Sequence, residues 1–252
     1  MKTINLIYYK SGSLNGNFGD ELSKFITSSL INNDKYQIVY NEKNIETNMI
    51  CIGSYIHAAK ENTIIYGSGI RLDIKEQHKY NNLDVRSVRG PLTEKFLVEK
   101  KNIKVPKIYG DPALLLPLFY KPVFIENLKN KIGIVAHKSN YKDFENLKLD
   151  NQFHLINPKD KWQNVINKIY SCKYILSSSL HGLICSDTYN KPNLWIDKFK
   201  LQEGDFKFKD YFLSQQRKYI KIIKLNEFNE ELLYKDGNKI DLDKLKKAFP
   251  FL

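Results

Sequence analysis

Short apolar runs rich in Ile, Val and Tyr alternate with longer amphipathic segments from one end of the chain to the other. That alternation is the pattern of a parallel sheet flanked by helices, and it narrows the fold more than any other feature. In the first half TINLIYY, YQIVY, NMICIGS and NTIIYGSG read as strands, with helices near 20–31 and 54–60. VRSVRG reads as a further strand running into a helix opened by Gly90-Pro91, since proline suits a first helical turn. VPKIYGDPALLLPLFY then reads as a strand, a turn at Gly110-Asp111-Pro112 and a short apolar helix. After an irregular stretch over 119–130 the pattern restarts with KIGIVAH, QFHLIN, KYILSS, PNLWID and YIKIIKL as strands. Helices are expected near 160–171, 180–190, 206–218 and 240–250. The expected fold is α/β: two Rossmann-like, doubly wound domains, residues 1–122 and 123–252, facing each other across a cleft. Ligands then collect at the carboxyl ends of the strands, and the last helix packs back on the first domain.

The composition, 42% apolar and 27% charged over 252 residues, is that of a chain able to bury a substantial core. Every apolar run falls well short of the ~20 residues needed to cross a bilayer, and MKTINLIYYK has no long apolar core or small-residue cleavage site. A cytoplasmic protein is expected. Cys51, Cys172 and Cys185 are odd in number, lie in apolar settings and show no metal-ligand spacing, so they read as buried reduced thiols. A formal charge of +12 calls for an anionic partner: a phosphorylated metabolite, a nucleic acid or the inner surface of a membrane. Nucleic acid is the weakest of these, for no recognised module and no basic stripe interleaved with aromatics is present. Arginine is confined to positions 71, 86, 89 and 217, and three of these four fall in one short stretch. A guanidinium can grip a carboxylate or phosphate with two parallel hydrogen bonds, which makes that cluster the first site candidate.

Three strand ends carry polar chemistry. In SLNGNFGDELSKF, residues 13–25, Gly16 and Gly19 permit a turn, and Asn17 or Asp20 can cap a helix starting near Glu21. The spacing is not that of a dinucleotide fingerprint, and Asp20 with Glu21 would repel phosphate. The loop reads equally as an anion site and as a capped turn. In YGSGIR and VRSVRGPLTEK, Arg71 follows a Gly-Ser-Gly turn and Arg89 sits where a strand gives way to a helix, while Arg86 reads as a surface residue. In SSSLHGLICSD, Ser178 or Ser179 would cap a helix with His181 in its first turn, and Gly182 lets another backbone or a ligand approach closely. Trp162, Trp195 and the tyrosines can stack on sugar or fill the core.

NFGDEL, VRGPLTEKFL, YGDPALLLP and ILSSSLHGLICSDTYNKPNLWI, in that order, resemble the polysaccharide pyruvyl transferases over about residues 5–197. The resemblance implies a GT-B-like pair of domains and transfer of the pyruvyl group of phosphoenolpyruvate onto two sugar hydroxyls, giving a cyclic ketal and phosphate. It implies no metal and no cofactor beyond phosphoenolpyruvate as donor, with a lipid-linked or free oligosaccharide as acceptor. His181 takes the position of the family's catalytic histidine and Arg89 that of an arginine associated with the donor; Asn17, Gly19 and Asp20 match the first glycine-rich motif, and Asp111 an acidic residue after a strand. On this basis His181 and Asp20 are the expected proton-transfer pair, Arg89, Arg71, Ser178, Ser179 and Gly182 the donor site, and Asn17, Gly19 and Asp111 the acceptor side of the cleft. Ser179 departs from the pattern, because many members carry arginine there; Arg71, a lysine or the helix N-terminus would then take over part of the anion. The net charge fits peripheral contact with an anionic membrane. The rival enzyme is a nucleotide-sugar glycosyltransferase of the same architecture, for which DKFKLQEGDF with Glu203 could supply a ribose contact.

Overall fold

A computed structural model describes residues 1–9, 16–71, 82–197, 199 and 204–252. The first half holds β1 (Lys2–Ile7), α1 (Phe18–Leu30), β2 (Tyr36–Tyr40), β3 (Thr47–Ile50), β4 (Ile64–Tyr66), β5 (Asp84–Ser87) and α2 (Pro91–Lys101). The second holds β6 (Ile132–Val135), α3 (Tyr141–Glu145), β7 (Phe153–Ile156), α4 (Trp162–Ser171), β8 (Tyr174–Ser177), α5 (Leu180–Thr188), β9 (Asn193–Ile196), α6 (Phe206–Ser214), β10 (Lys221–Ile222) and α7 (Leu242–Lys247). Two five-stranded sheets result, ordered β2-β1-β3-β4-β5 and β10-β9-β8-β6-β7, with every strand pair parallel. The α/β reading and its two series of parallel strands therefore hold.

Several elements are shorter than the periodicity suggests. The expected helix over 54–60 is a single 3-10 turn, Ile56–Ala58, because Ala59 is extended and the Lys60 N–H, which an α-helix would give to the Ile56 carbonyl, goes to Thr63 Oγ1. VPKIY contributes one isolated bridge, Val88 to Tyr109, since Pro106 has no N–H to give a ladder. The apolar stretch Pro112–Leu118 is 3-10 rather than α, with Pro117 inside it. Helix α6 stops at Ser214, four residues early, where Gln216 adopts a left-handed conformation (φ 53°) and the Arg217 N–H folds back on the Phe212 carbonyl.

One apolar core crosses between the sheets. Phe18, Leu22 and Ile26 of α1 belong to the same buried cluster as Val165, Ile166 and Ile169 of α4, Leu183 and Ile184 of α5 and Leu114–Leu116. Trp195 lies fully inside it, stacked on Phe208 at 4.2 Å between ring centroids, and Trp162 packs on Phe25 and Tyr120. Both tryptophans thus serve the core. The connection between the halves is strapped to α4: the Tyr120 hydroxyl and Val123 N–H both donate to Asn167 Oδ1, and the Ile125 N–H to Ser171 Oγ. At the end of the chain Leu245 accepts a hydrogen bond from the buried Tyr66 hydroxyl of β4, and Phe249 packs on the same ring. Among the described residues no helix is long and apolar enough to cross a membrane. Cys51, Cys172 and Cys185 are buried free thiols.

Candidate active site

The loops that follow the parallel strands converge. A cavity of about 520 Å³ is lined by Asn17 and Asp20 after β1, Ser54 and Tyr55 after β3, Arg71 after β4, Arg89 after β5, His137 and Lys138 after β6, Lys159 after β7, and Ser179 and His181 after β8. Lys207 of α6 closes it. This is the carboxyl end of both sheets, where parallel α/β folds leave room for ligands. Among the described residues the lining carries Arg71, Arg89, Lys138, Lys159 and Lys207 against a single carboxylate, Asp20. Such a wall favours a compact, multiply charged anion.

His181 stands in the first turn of α5, 7% exposed, at the seam between the halves. Its ring lies against the start of α1 so closely that a Cβ on Gly19 would fall 2.2 Å from Nδ1 and 2.4 Å from Cγ. Glycine is the only residue that admits the ring there. On the other side Nε2 faces Asp111 Oδ2 at 3.7 Å. Asp111 is fully buried at the head of the 3-10 turn, where its Oδ1 accepts the Ala113 N–H at 3.0 Å. The turn is seated by Gly67 (φ 75°), whose missing side chain leaves the space that Pro112 occupies. Asp111 therefore stands behind His181 and Gly19 against the edge of its ring; neither is among the residues that line the cavity, where the sequence places them.

Asp20 does reach the cavity, with Asn17 Nδ2 donating to its Oδ2 at 3.2 Å. The helix starts earlier than expected, at Phe18, and Asn17 occupies the cap position without a side-chain capping bond. Burial raises the Asp20 carboxyl above its ordinary value, while His181, the Asn17 amide and Lys138 pull the other way. A carboxyl so poised beside an imidazole suits proton exchange.

Arg89 is fully buried, and its guanidinium joins the halves. Nε donates to Asp210 Oδ2 of α6 at 3.1 Å and Nη1 to Ser54 Oγ at 2.6 Å, while Nη2 has no partner among the described residues. Gly69 makes room for the guanidinium, since a Cβ there would sit 2.3 Å from Cζ. Asp210 also accepts the Leu92 and Thr93 N–H groups at 2.9 and 3.0 Å and the Thr93 hydroxyl at 2.7 Å, so a carboxylate from the second half caps α2 of the first. Gly90 lets α6 come that close. Arg86 is a surface residue paired with Asp84, and Arg217 is buried away from the cavity between the Phe212 and Tyr234 rings with Asp187.

The serines divide differently from the sequence expectation. Ser177 orders the turn: its Oγ accepts the Ser179 N–H at 3.0 Å and lies 2.9 Å from the Val135 carboxyl-end carbonyl, to which it donates. Ser178 is not a ligand-facing residue, since its Oγ accepts the His137 N–H and donates to Asn140. Gly182 is not one either, because its open face is filled by Ser177 Oγ and the Val135 side chain. Ser179 alone of this group lines the cavity, and no side chain caps α5. The first N–H groups of that helix thus stay available to an anion. Glu203, Lys198 and residues 13–15 of the first loop lie outside the described residues, as does the segment following Arg71.

Sequence reading missed Lys207, His137, Lys138, Lys159, Ser54 and Asp210. Lys207 is nine-tenths buried with Nζ 3.5 Å from His137 Nε2, yet in FKFKDYF it looks like any lysine of an amphipathic helix. Only the docking of α6 on α2 distinguishes it.

The model of the polysaccharide pyruvyl transferase family matches residues 17–197. An uncharacterized protein of Acanthamoeba polyphaga mimivirus is 28% identical over 229 residues, 83% of this chain and 77% of that protein. The succinoglycan biosynthesis protein ExoV of Rhizobium meliloti is 26% identical over 200 residues, 71% of this chain; the match spans 56% of ExoV's own length. A crystal structure of a functionally uncharacterized Klebsiella pneumoniae protein aligns over 84% of this chain and 87% of its own at 13% identity and a TM-score of 0.49.

Proposed function

The chain belongs to the polysaccharide pyruvyl transferase family, and on that premise we propose that it moves the pyruvyl group of phosphoenolpyruvate onto two hydroxyls of an oligosaccharide, forming a cyclic ketal with release of phosphate. The observation that carries the reading is that Arg89 and His181, from different halves of the chain, line one cavity with, among the described residues, five cationic side chains and one carboxylate. Phosphoenolpyruvate presents a carboxylate and a phosphate on three carbons, and such a wall offers each of them cationic partners.

The reaction has a simple balance. The methylene carbon gains a proton, the first hydroxyl oxygen bonds to C2, and the C2–O bond to phosphate breaks as the second hydroxyl oxygen takes its place. Two hydroxyl protons are released; one matches the proton delivered to carbon and the other leaves with phosphate. His181 is the group assigned to carry these protons, with Asp20 as its partner across the seam. The Arg89 guanidinium, Arg71 and the open N-terminus of α5 are assigned to the donor, with Lys207, Lys138 and Lys159 completing its neutralisation. Positioned proton transfer of this kind contributes roughly 10²- to 10⁴-fold.

The test is incubation with phosphoenolpyruvate and candidate oligosaccharides, read by mass spectrometry for the pyruvylated product and by phosphate release. Parallel thermal melts with phosphoenolpyruvate and with nucleotide sugars identify the donor. Stabilisation by nucleotide sugars alone, with no phosphate released, would overturn the reading.

A further inference from the structure

His181 has two nitrogens, and the surroundings of its ring distinguish them. Nε2 is shut away from solvent and has no hydrogen-bond partner among the described residues; Asp111 Oδ2 is in the same condition, and the two atoms face each other at 3.7 Å. Leaving a buried donor and a buried acceptor both unmet is costly, whereas a shift of about 0.7 Å would make each the other's partner. Hydrogen bonds at unliganded active sites are commonly long and tighten when substrate binds. The carboxylate is held in this orientation, because it is fully buried and its Oδ1 accepts the Ala113 N–H.

We propose that Asp111 is a positioning residue that keeps the proton of neutral His181 on Nε2, so that Nδ1 is the nitrogen that exchanges protons with substrate. This rests on the reading that His181 carries the proton in pyruvyl transfer. Nδ1 is the ring nitrogen left over once Nε2 is turned inward, and it lies against Gly19 at the start of α1, the helix whose next residue, Asp20, lines the cavity. The nitrogen that carries the proton is set by the hydrogen bond the other makes, so a carboxylate at Nε2 leaves a lone pair at Nδ1.

Asparagine at position 111 makes a sharp probe. Its carbonyl oxygen can keep the Ala113 N–H, which leaves its NH₂ pointing at Nε2. An amide donor there favours the opposite tautomer, with the proton on Nδ1 and no base facing the substrate. Asp111→Asn is therefore expected to lower kcat by roughly 10²- to 10⁴-fold, more than Asp111→Ala does, although alanine loses the turn's cap as well. A merely structural Asp111 gives the reverse order. The direct measurement is a long-range ¹H–¹⁵N correlation spectrum of ¹⁵N-histidine-labelled protein, with His181 assigned among the five histidines by its absence in His181→Gln. Wild type should show neutral His181 protonated at Nε2, and Asp111→Asn should show it protonated at Nδ1. Neutral His181 protonated at Nδ1 in the wild type would overturn the proposal, as would an Asp111→Asn protein that keeps both tautomer and turnover. If Asp111→Asn does not fold, the wild-type spectrum alone decides. The spectrum needs no turnover, so absence of pyruvyl transfer would count against the proposed reaction and leave the tautomer result standing.

Discussion

Replacing Gly19 with alanine should separate stability from activity. Gly19 is the second residue of α1, its φ lies outside the left-handed region, and the backbone accepts any L-residue. On propensity alone alanine gains up to about 1 kcal/mol over glycine in a helix. What forbids it is the ring of His181: the new methyl would sit 2.2 Å from Nδ1, 2.4 Å from Cγ and 2.9 Å from Cβ. Carbon atoms settle at about 3.5–4.0 Å, so ring and helix must separate by more than roughly 1 Å. Backing away moves the ring toward Asp111, which is fully buried behind it, so the displacement has to be taken up in the position of α5 or a changed rotamer. A misplacement of ~1 Å costs on the order of 10² in rate when a reacting group must be aligned. Phosphate release from phosphoenolpyruvate in the presence of acceptor should fall about 100-fold or more, while the melting temperature stays within a few degrees of wild type. A folded Gly19→Ala protein with wild-type turnover would mean that the ring does not act from this seat, and the assignment of His181 would fail with it.

Two further changes test the seam. Asp210→Ala strands the Arg89 charge and the Leu92 and Thr93 donors in a fully buried setting. It should cost ~3–5 kcal/mol and lower the melting temperature by roughly 6–20 °C; an unchanged melt would show that the pair is not closed in solution. Asp20→Asn should raise the melting temperature at neutral pH, since burial lifts the folded-state carboxyl above its ordinary value of 3.8. A raised carboxyl binds its proton more tightly when folded, so its effect on stability declines as pH rises from 3.8 through the folded value; the gain from Asp20→Asn should vanish below about pH 3.8 and grow above it. A melting difference that is the same at every pH refutes this origin.

Much of the fold was legible because short apolar runs such as IGIV and YILS can bury both faces of a parallel sheet. His181 and Arg89 were legible for a related reason: polar residues directly after such runs fall at the carboxyl ends of strands. What the local pattern hides is any role set by a partner distant in sequence. Asp111 looks like a cleft residue until the turn it heads is packed behind α5, and Gly182 looks like a ligand contact until the Ser177 and Val135 side chains fill its open face. Asp210 and Lys207 sit in an ordinary amphipathic helix, and nothing in FKFKDYFLS says that these two would be buried along with Phe208, Tyr211 and Phe212.

The halves are joined through the site itself. Asp210 of α6 caps α2 and holds Arg89; the Phe18 N–H at the start of α1 donates to the Pro158 carbonyl after β7; Gly19 receives His181. Around these contacts a single apolar core runs from α1 into α4 and α5. Rotating the sheets apart as rigid bodies would break a fully buried ion pair, uncover a helix cap and split that core in one motion. The relative placement of guanidinium and imidazole is therefore set by folding, before any donor arrives. Preorganised charge of this kind lowers a barrier because the alignment cost is met in the folded protein rather than during the reaction. The same interactions that hold the two parallel sheets together fix the spacing on which the proposed chemistry depends.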